Sequence, residues 1–143
     1  MTTQVTADTP RDTAAATTAL RFEVTMLPVS DVDRAKAFYE RLGWRLDADF
    51  QIDNRTRIVQ FTPPQSPASI QFGTGITSMA GPLDYLYLVV DDIEAARAEL
   101  VSRGVEVSEV HDFGGGVKGA EFADPDGNSF ELQEMAWRKG ADY

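Results

Sequence analysis

VTMLPVSDVDRAKAFY at residues 24–39 and YLYLVVDDIEAARAEL at residues 85–100 are two versions of one phrase. Leu27 and Leu88, Val29 and Val90, Asp31 and Asp92, Ala35 and Ala96, Ala37 and Ala98, Gly43 and Gly104, Phe61 and Phe122, and Pro64 and Pro125 each stand 61 positions apart. Val32/Ile93, Asp33/Glu94 and Lys36/Arg97 are conservative pairs in the same register. Chance matches scatter over many offsets, so one offset held this long marks an internal duplication.

Each copy opens on a short apolar run rich in β-branched or aromatic residues, RFEVTMLPV in the first and LDYLYLVV in the second. Both runs end at polar residues, the pattern of a strand. A helix follows each. Ser30 or Asp31 can cap the first, with Val32, Ala35, Tyr39 and Leu42 at helical spacing before Gly43 stops it. The second is expected from about Asp92 to Arg103, with Ile93, Ala96 and Leu100 on one face and Gly104 as its stop. Three further strands fit each copy: WRLDADFQI, RIVQFTP and ASIQFG, then VEVSEVHDF, KGAEFAD and SFELQE. DNRT, PPQSP, GGG and DPDG punctuate them as turns.

The pattern is therefore βαβββ twice, an α+β chain. One four-stranded sheet with a helix on one side leaves its other face bare. Two modules together can form a curved, barrel-like mixed sheet around an internal cavity, where a ligand would sit.

The chain has 143 residues, enough for one domain with a real core. The Thr- and Ala-rich residues 1–19 carry little to bury and read as a disordered tail. The domain is placed at residues 20–137, with modules at about 20–74 and 82–135 and a C-terminal tail at 138–143. No apolar run reaches the roughly 20 residues of a bilayer span, so no membrane role is expected. A net charge of −10 argues against nucleic acid, whose binding depends on Lys and Arg. The absence of cysteine removes thiolate chemistry and is compatible with a cytoplasmic setting.

VSDVDRAKAFYERLGW, VVDDIEAARAELVSRGV and FADPDGNSFELQE, in that order and spacing, resemble the vicinal oxygen chelate superfamily. That group includes glyoxalase I, extradiol dioxygenases, fosfomycin-resistance enzymes and bleomycin-resistance binding proteins. The resemblance spans residues 21–135 and implies the barrel-like fold and a homodimer. It also implies that Val24, Gln71, Tyr85 and Glu131 occupy the positions where metal-dependent members hold a divalent ion. Valine has no donor atom, and a phenol must lose a proton with a pKa near 10 before it ligates well. No metal and no other cofactor is expected.

Alternation along SFELQE turns Glu131 into the cavity, where a carboxylate is costly unless it has a use or a partner. Val24, Met26, Tyr85 and Tyr87 share inward strand faces. With Trp44 and Gln71 they would line a mostly apolar, aromatic pocket. His111, the one histidine, stands at a strand end, ordinarily a rim position, within reach of a ligand. FGGGVKG lacks the following helix of a phosphate cradle, and DPDG lacks the spacing of a calcium loop.

Three functions remain open. The chain can sequester a small apolar or aromatic molecule, and its acidity would suit a cationic one. It can be a metal-free enzyme moving a proton through Glu131, with Tyr85 or His111 assisting. It can be a metal-dependent lyase, isomerase or dioxygenase with an unconventional ligand set, a reading that positions 24 and 85 weigh against.

Overall fold

The computed structural model describes residues 14–77 and 79–140. Ten elements run in the order strand–helix–three strands, twice. The first module comprises β1 (Val24–Met26), α1 (Val32–Arg41), β2 (Arg45–Asp53), β3 (Thr56–Thr62) and β4 (Ser69–Thr74). The second comprises β5 (Leu86–Val89), α2 (Ile93–Ser102), β6 (His111–Gly114), β7 (Val117–Ala123) and β8 (Ser129–Met135).

The helices keep the duplication to the residue. Asp31 and Asp92 are both N-caps in extended conformation, with φ of −139° and −138°, and each side chain accepts from the N–H three residues on. The cap therefore falls on Asp31 rather than Ser30.

Each module folds into a four-stranded mixed sheet, ordered β1-β4-β3-β2 and β5-β8-β7-β6. The first and last strands of each module run parallel and the remaining pairs are antiparallel. The sequence offset changes inside the sheets. Phe61 pairs with Ile70, whereas Phe122 pairs with Phe130, one residue sooner. The β3–β4 turn is thus one residue longer than the β7–β8 turn. Strand faces alternate with period two, so this difference has to be absorbed in the turn if the same face is to meet the core.

The strand expected at residues 105–113 is ladder-paired only from His111 onward. Upstream, one backbone bond remains, from the Ser108 N–H to the Glu121 carbonyl at 2.9 Å, and side chains supply the rest. Ser108 Oγ accepts the Glu121 N–H at 2.9 Å, and Arg97 donates to the carbonyls of Val107 and Ser108 at 3.2 and 2.6 Å. Residues 138–140, read as part of a tail, are held: Lys139 Nζ donates to the Asp91 carbonyl at 2.7 Å and the Gly140 N–H to Asp91 Oδ1 at 2.8 Å. Of the N-terminal segment, residues 1–13 lie outside the described residues, while 14–19 are exposed and without regular structure.

One core joins the modules. Val59, Phe61 and Phe72 from the first sheet and Ala120, Phe122, Phe130 and Leu132 from the second belong to the same buried cluster, with the helices inside it. Tyr39 of α1 is at its centre, with Trp44, Phe61, Phe72 and Phe130 at ring-centroid distances of 5.3, 5.9, 5.5 and 6.2 Å. Its hydroxyl donates to Asp124 Oδ2 at 2.7 Å. Burial, and then the charge of Asp124, push the Tyr39 phenol far above its usual value, so it stays a donor. Asp124 also accepts from the N–H groups of Asp126 and Asn128 and from the Asn128 side chain, each at 2.9 Å. Fully buried Asn128 donates to the Pro28 carbonyl at 2.9 Å and accepts from the Leu83 N–H at 2.8 Å. The DPDGN turn is therefore the clasp between modules.

Because the helix-facing sides of both sheets meet in this core, their opposite faces point outward. A single chain encloses no barrel among its described residues. The expected internal cavity is replaced by two open curved faces and a cleft of about 320 Å³ between the edges of β1 and β5.

Removing the Tyr39 hydroxyl leaves a buried carboxylate one donor short, which costs about 1–3 kcal/mol. Tyr39→Phe should lower the melting temperature by several degrees with an unchanged denaturant slope, and Asn128→Ala, which strands groups in both modules, should cost more. Chemical denaturation of the two variants checks the order.

Candidate functional site

The outward face of the second sheet is built from alternate residues of four strands. Across it, Tyr87 on β5, Glu131 on β8 and Glu121 on β7 are register partners. The next row holds Val89, Gln133, Gly119 and His111. Four large side chains here lie open: Tyr85, Tyr87, Val89 and Phe113 are 56%, 58%, 41% and 61% exposed. Glu131, at the centre of the sheet, is only 8% exposed.

Gly119 makes this packing feasible. A Cβ there would meet Phe113 Cε2 at 2.8 Å and Glu131 Oε2 at 3.1 Å. With only hydrogen on Cα, the Phe113 ring and the Glu131 carboxylate can both lie over β7. His111 stands beside Phe113, with ring centroids 6.2 Å apart.

Burial raises the Glu131 pKa above its usual value, the charge of Glu121 raises it further, and His111 works against both. The carboxylate has lost water, faces a like charge across the strand, and has only a histidine to offset them.

The first sheet's outward face is of another kind. Met26, Gln71 and Gln60 form its central row, and Gln71 Nε2 donates to Gln60 Oε1 at 2.9 Å. Phe50 and Ile52 on the outer strand β2 are 52% and 57% exposed. This face carries exposed apolar side chains beside a pair of amides, and its one carboxylate, Asp47, is held by Thr62, Gln60 and Arg45.

The residues singled out from sequence divide accordingly. Glu131, Tyr87, Tyr85 and His111 gather on or beside one face. Val24, Met26 and Gln71 belong to the other sheet, and Val24 partners Ser69, one row from Gln71. Trp44 does not line an outward face. It is 9% exposed, packs on Tyr39 and Phe130, and reaches only the cleft between β1 and β5. It follows the Gly43 helix stop directly, and the chain there still turns toward the core. Tyr85 also lines the cleft, entering β5 at φ +59°, which is rare for a bulky residue, with its N–H donated to Ser129 Oγ at 2.9 Å. Phe113, Glu121 and Gly119 were missed in the sequence. Alternation across β7 from Glu131 was the signal for the latter two, but it needs the strand pairing.

Residues 21–132 match the sequence profile of the Glyoxalase/Bleomycin resistance protein/Dioxygenase superfamily. The chain belongs to that superfamily. Among solved structures it is similar to TnmS3, an antibiotic binding protein from Streptomyces sp. CB03234. The two are 32% identical over 85% of this chain and 100% of that one, with a TM-score of 0.72. A glyoxalase/bleomycin resistance protein from the same Streptomyces strain is 35% identical, covering 78% of this chain and 98% of its own, with a TM-score of 0.66. The bleomycin resistance determinant encoded on the transposon Tn5 shares the fold at 23% identity and a TM-score of 0.62, covering 82% and 99% of the two chains. No curated protein matches the chain. Among the described residues, no helix is long and apolar enough to cross a membrane.

A carboxyl whose pKa is raised by folding binds its proton more tightly in the folded chain, so its contribution to stability falls as pH rises past the ordinary value. Glu131→Gln should therefore melt above the parent protein at pH 7 to 8. The difference should shrink as pH is lowered toward the usual carboxylate value of 4.5. Melting curves of both proteins across that range test the sign.

Proposed function

We propose that this protein binds a small apolar or aromatic organic molecule on the outward face of β5–β8, without a metal, as a sequestering protein. The observation that carries the reading is the open aromatic face of Tyr85, Tyr87 and Phe113 around the nearly buried carboxylate of Glu131. Exposed apolar surface of this extent is unusual on a soluble monomer and marks a binding region. The left-handed backbone of Tyr85 supports it, because such strain is retained where the surroundings or a function hold it. The similarity to an antibiotic binding protein points the same way.

The residues at the superfamily's metal positions do not fit a divalent ion. Val24 has no lone pair to offer, Gln71 donates its amide to Gln60, and Tyr85 is a phenol on an exposed turn. Glu131 remains as one strong ligand where three or four are the rule. Among the described residues, no three His, Cys, Asp or Glu side chains group as a metal site.

The working form is a homodimer in which each open face is covered by a second copy. The acidic, aromatic face of β5–β8 and the face carrying Phe50 and Gln71, whose one carboxylate, Asp47, is paired with Arg45, are of a kind to share one ligand. Short edge strands β1 and β5, unpaired at the cleft, fit an assembly completed by another chain. Sedimentation at micromolar concentration should give twice the chain mass, and a monomer there would remove this part of the reading.

A second reading rests on the raised pKa of Glu131, which would suit it to proton transfer on a bound substrate, with Tyr85 or His111 nearby. Glu131→Gln separates the two. In a sequestering protein it changes affinity for a neutral aromatic ligand, found by thermal shift, by about tenfold or less. In an enzyme it leaves binding and lowers turnover by about a hundredfold or more.

A further inference from the structure

Glu121 has no role in the site as sequence reasoning drew it, yet it shares the central row of the face. It is the register partner of Glu131, and Glu131 is the partner of Tyr87. Directly opposed side chains on neighbouring strands stand about 4.5–5.5 Å apart at Cβ, and like charges there repel. Glu131 is 8% exposed, and among the described residues it accepts no hydrogen bond and joins no ion pair. A carboxylate this covered ordinarily has a partner, because losing its water without one is costly.

Among the described residues, the strands around the pair supply no fixed cation. From β6 comes His111 and from β5 comes Tyr87. Along β8 the next residue on the face is Gln133, and from β7 comes Glu121 itself. Lys118, beside Gly119, is the register partner of Glu134 and alternates onto the opposite face. Among the described residues, none on this row or the next carries the positive charge that would balance it, and exposed flat rings stand around the pair: Tyr87 is 58% and Phe113 61% exposed.

We propose that the Glu121–Glu131 pair recognises an organic cation, a flat aromatic molecule whose positive charge lies against both carboxylates while its ring stacks on Tyr87 and Phe113. This rests on the binding reading above and names the ligand class for the same face. A cation neutralises the repulsion between two opposed carboxylates, and the ring faces add cation–π attraction that strengthens as water is excluded. A bare divalent ion would need more ligands than this pair provides. Specificity follows from the same geometry. A neutral aromatic stacks equally well but leaves Glu131 desolvated and unpaired, so charge decides between two ligands of the same shape.

Thioflavin T, a flat benzothiazolium cation, and its neutral analogue lacking the ring N-methyl group form a suitable pair of probes. Their affinities are measured by calorimetry for the full chain and for Glu131→Gln, Glu121→Gln and the exposed surface control Glu106→Gln, with circular dichroism confirming the fold of each. The cation should bind the parent at least about tenfold tighter than the neutral analogue. That preference should fall to about threefold or less in Glu131→Gln and in Glu121→Gln, and persist in Glu106→Gln. Equal affinity of both probes for the parent would overturn the inference and leave the binding reading standing. So would a preference surviving both site substitutions, since it would then come from the net charge alone. If neither probe binds at millimolar concentration, the binding reading falls and the inference with it.

Discussion

The contact on which the rest of the molecule depends is the hydrogen bond from the buried Tyr39 hydroxyl to Asp124. Its ring is the only one in the core that touches aromatic residues of both sheets, among the described contacts. Its hydroxyl, at the far end of the same side chain, ties α1 to the turn before β8. A phenylalanine would keep the packing and lose the direction. The polar tip fixes which way the modules face, because Asp124 has four donors arranged around its two oxygens and tolerates little rotation.

From that orientation the location of the site follows. The sheets meet through their helix-facing sides, so the core consumes those sides and the opposite ones are left open. A duplicated βαβββ chain could also close its two curved faces on each other. Here the clasp built by Asp124 and Asn128 with Pro28 and Leu83 holds the loops of both modules at the core side instead. The duplication is broken at this place. At the same offset the first module carries Pro63, Gln65 and Pro67, in a turn one residue longer, where the second carries Asp124, Asp126 and Asn128. Proline cannot donate from its nitrogen and offers no side-chain acceptor, so only one of the two turns can act as the clasp.

The two open faces have diverged as well. One carries a Gln60–Gln71 pair and a single carboxylate, Asp47, that Arg45 balances. The other carries opposed carboxylates among exposed rings, with a glycine beneath them that admits both Phe113 and Glu131. Copies of a module that share a core pattern are free to differ on the faces that the core does not use. That freedom is how one architecture serves both enzymes and binding proteins, and why membership of the superfamily leaves the chemistry to the residues of the face.

Much of the fold was legible in the chain. The 61-residue offset, the aspartate caps at 31 and 92 and the glycine stops are local signals, and local physics is what a linear sequence records. Alternation along SFELQE was enough to turn Glu131 away from the helices, and the residue types at 24 and 85 were enough to weaken the case for a metal. The sequence overestimated the strand before His111, because the Arg97 side chain that takes up the carbonyls of Val107 and Ser108 acts from outside the segment. Which surface Trp44 reaches was not legible, because an aromatic after a helix stop has no periodicity to show which way it points; it packs in the core and borders the cleft between β1 and β5. Pairing across strands and the angle between modules are set by contacts between residues tens of positions apart. Only the tertiary structure could therefore put Glu121 opposite Glu131, stand Phe113 over Gly119, and leave open to solvent the face that the sequence had placed inside a barrel.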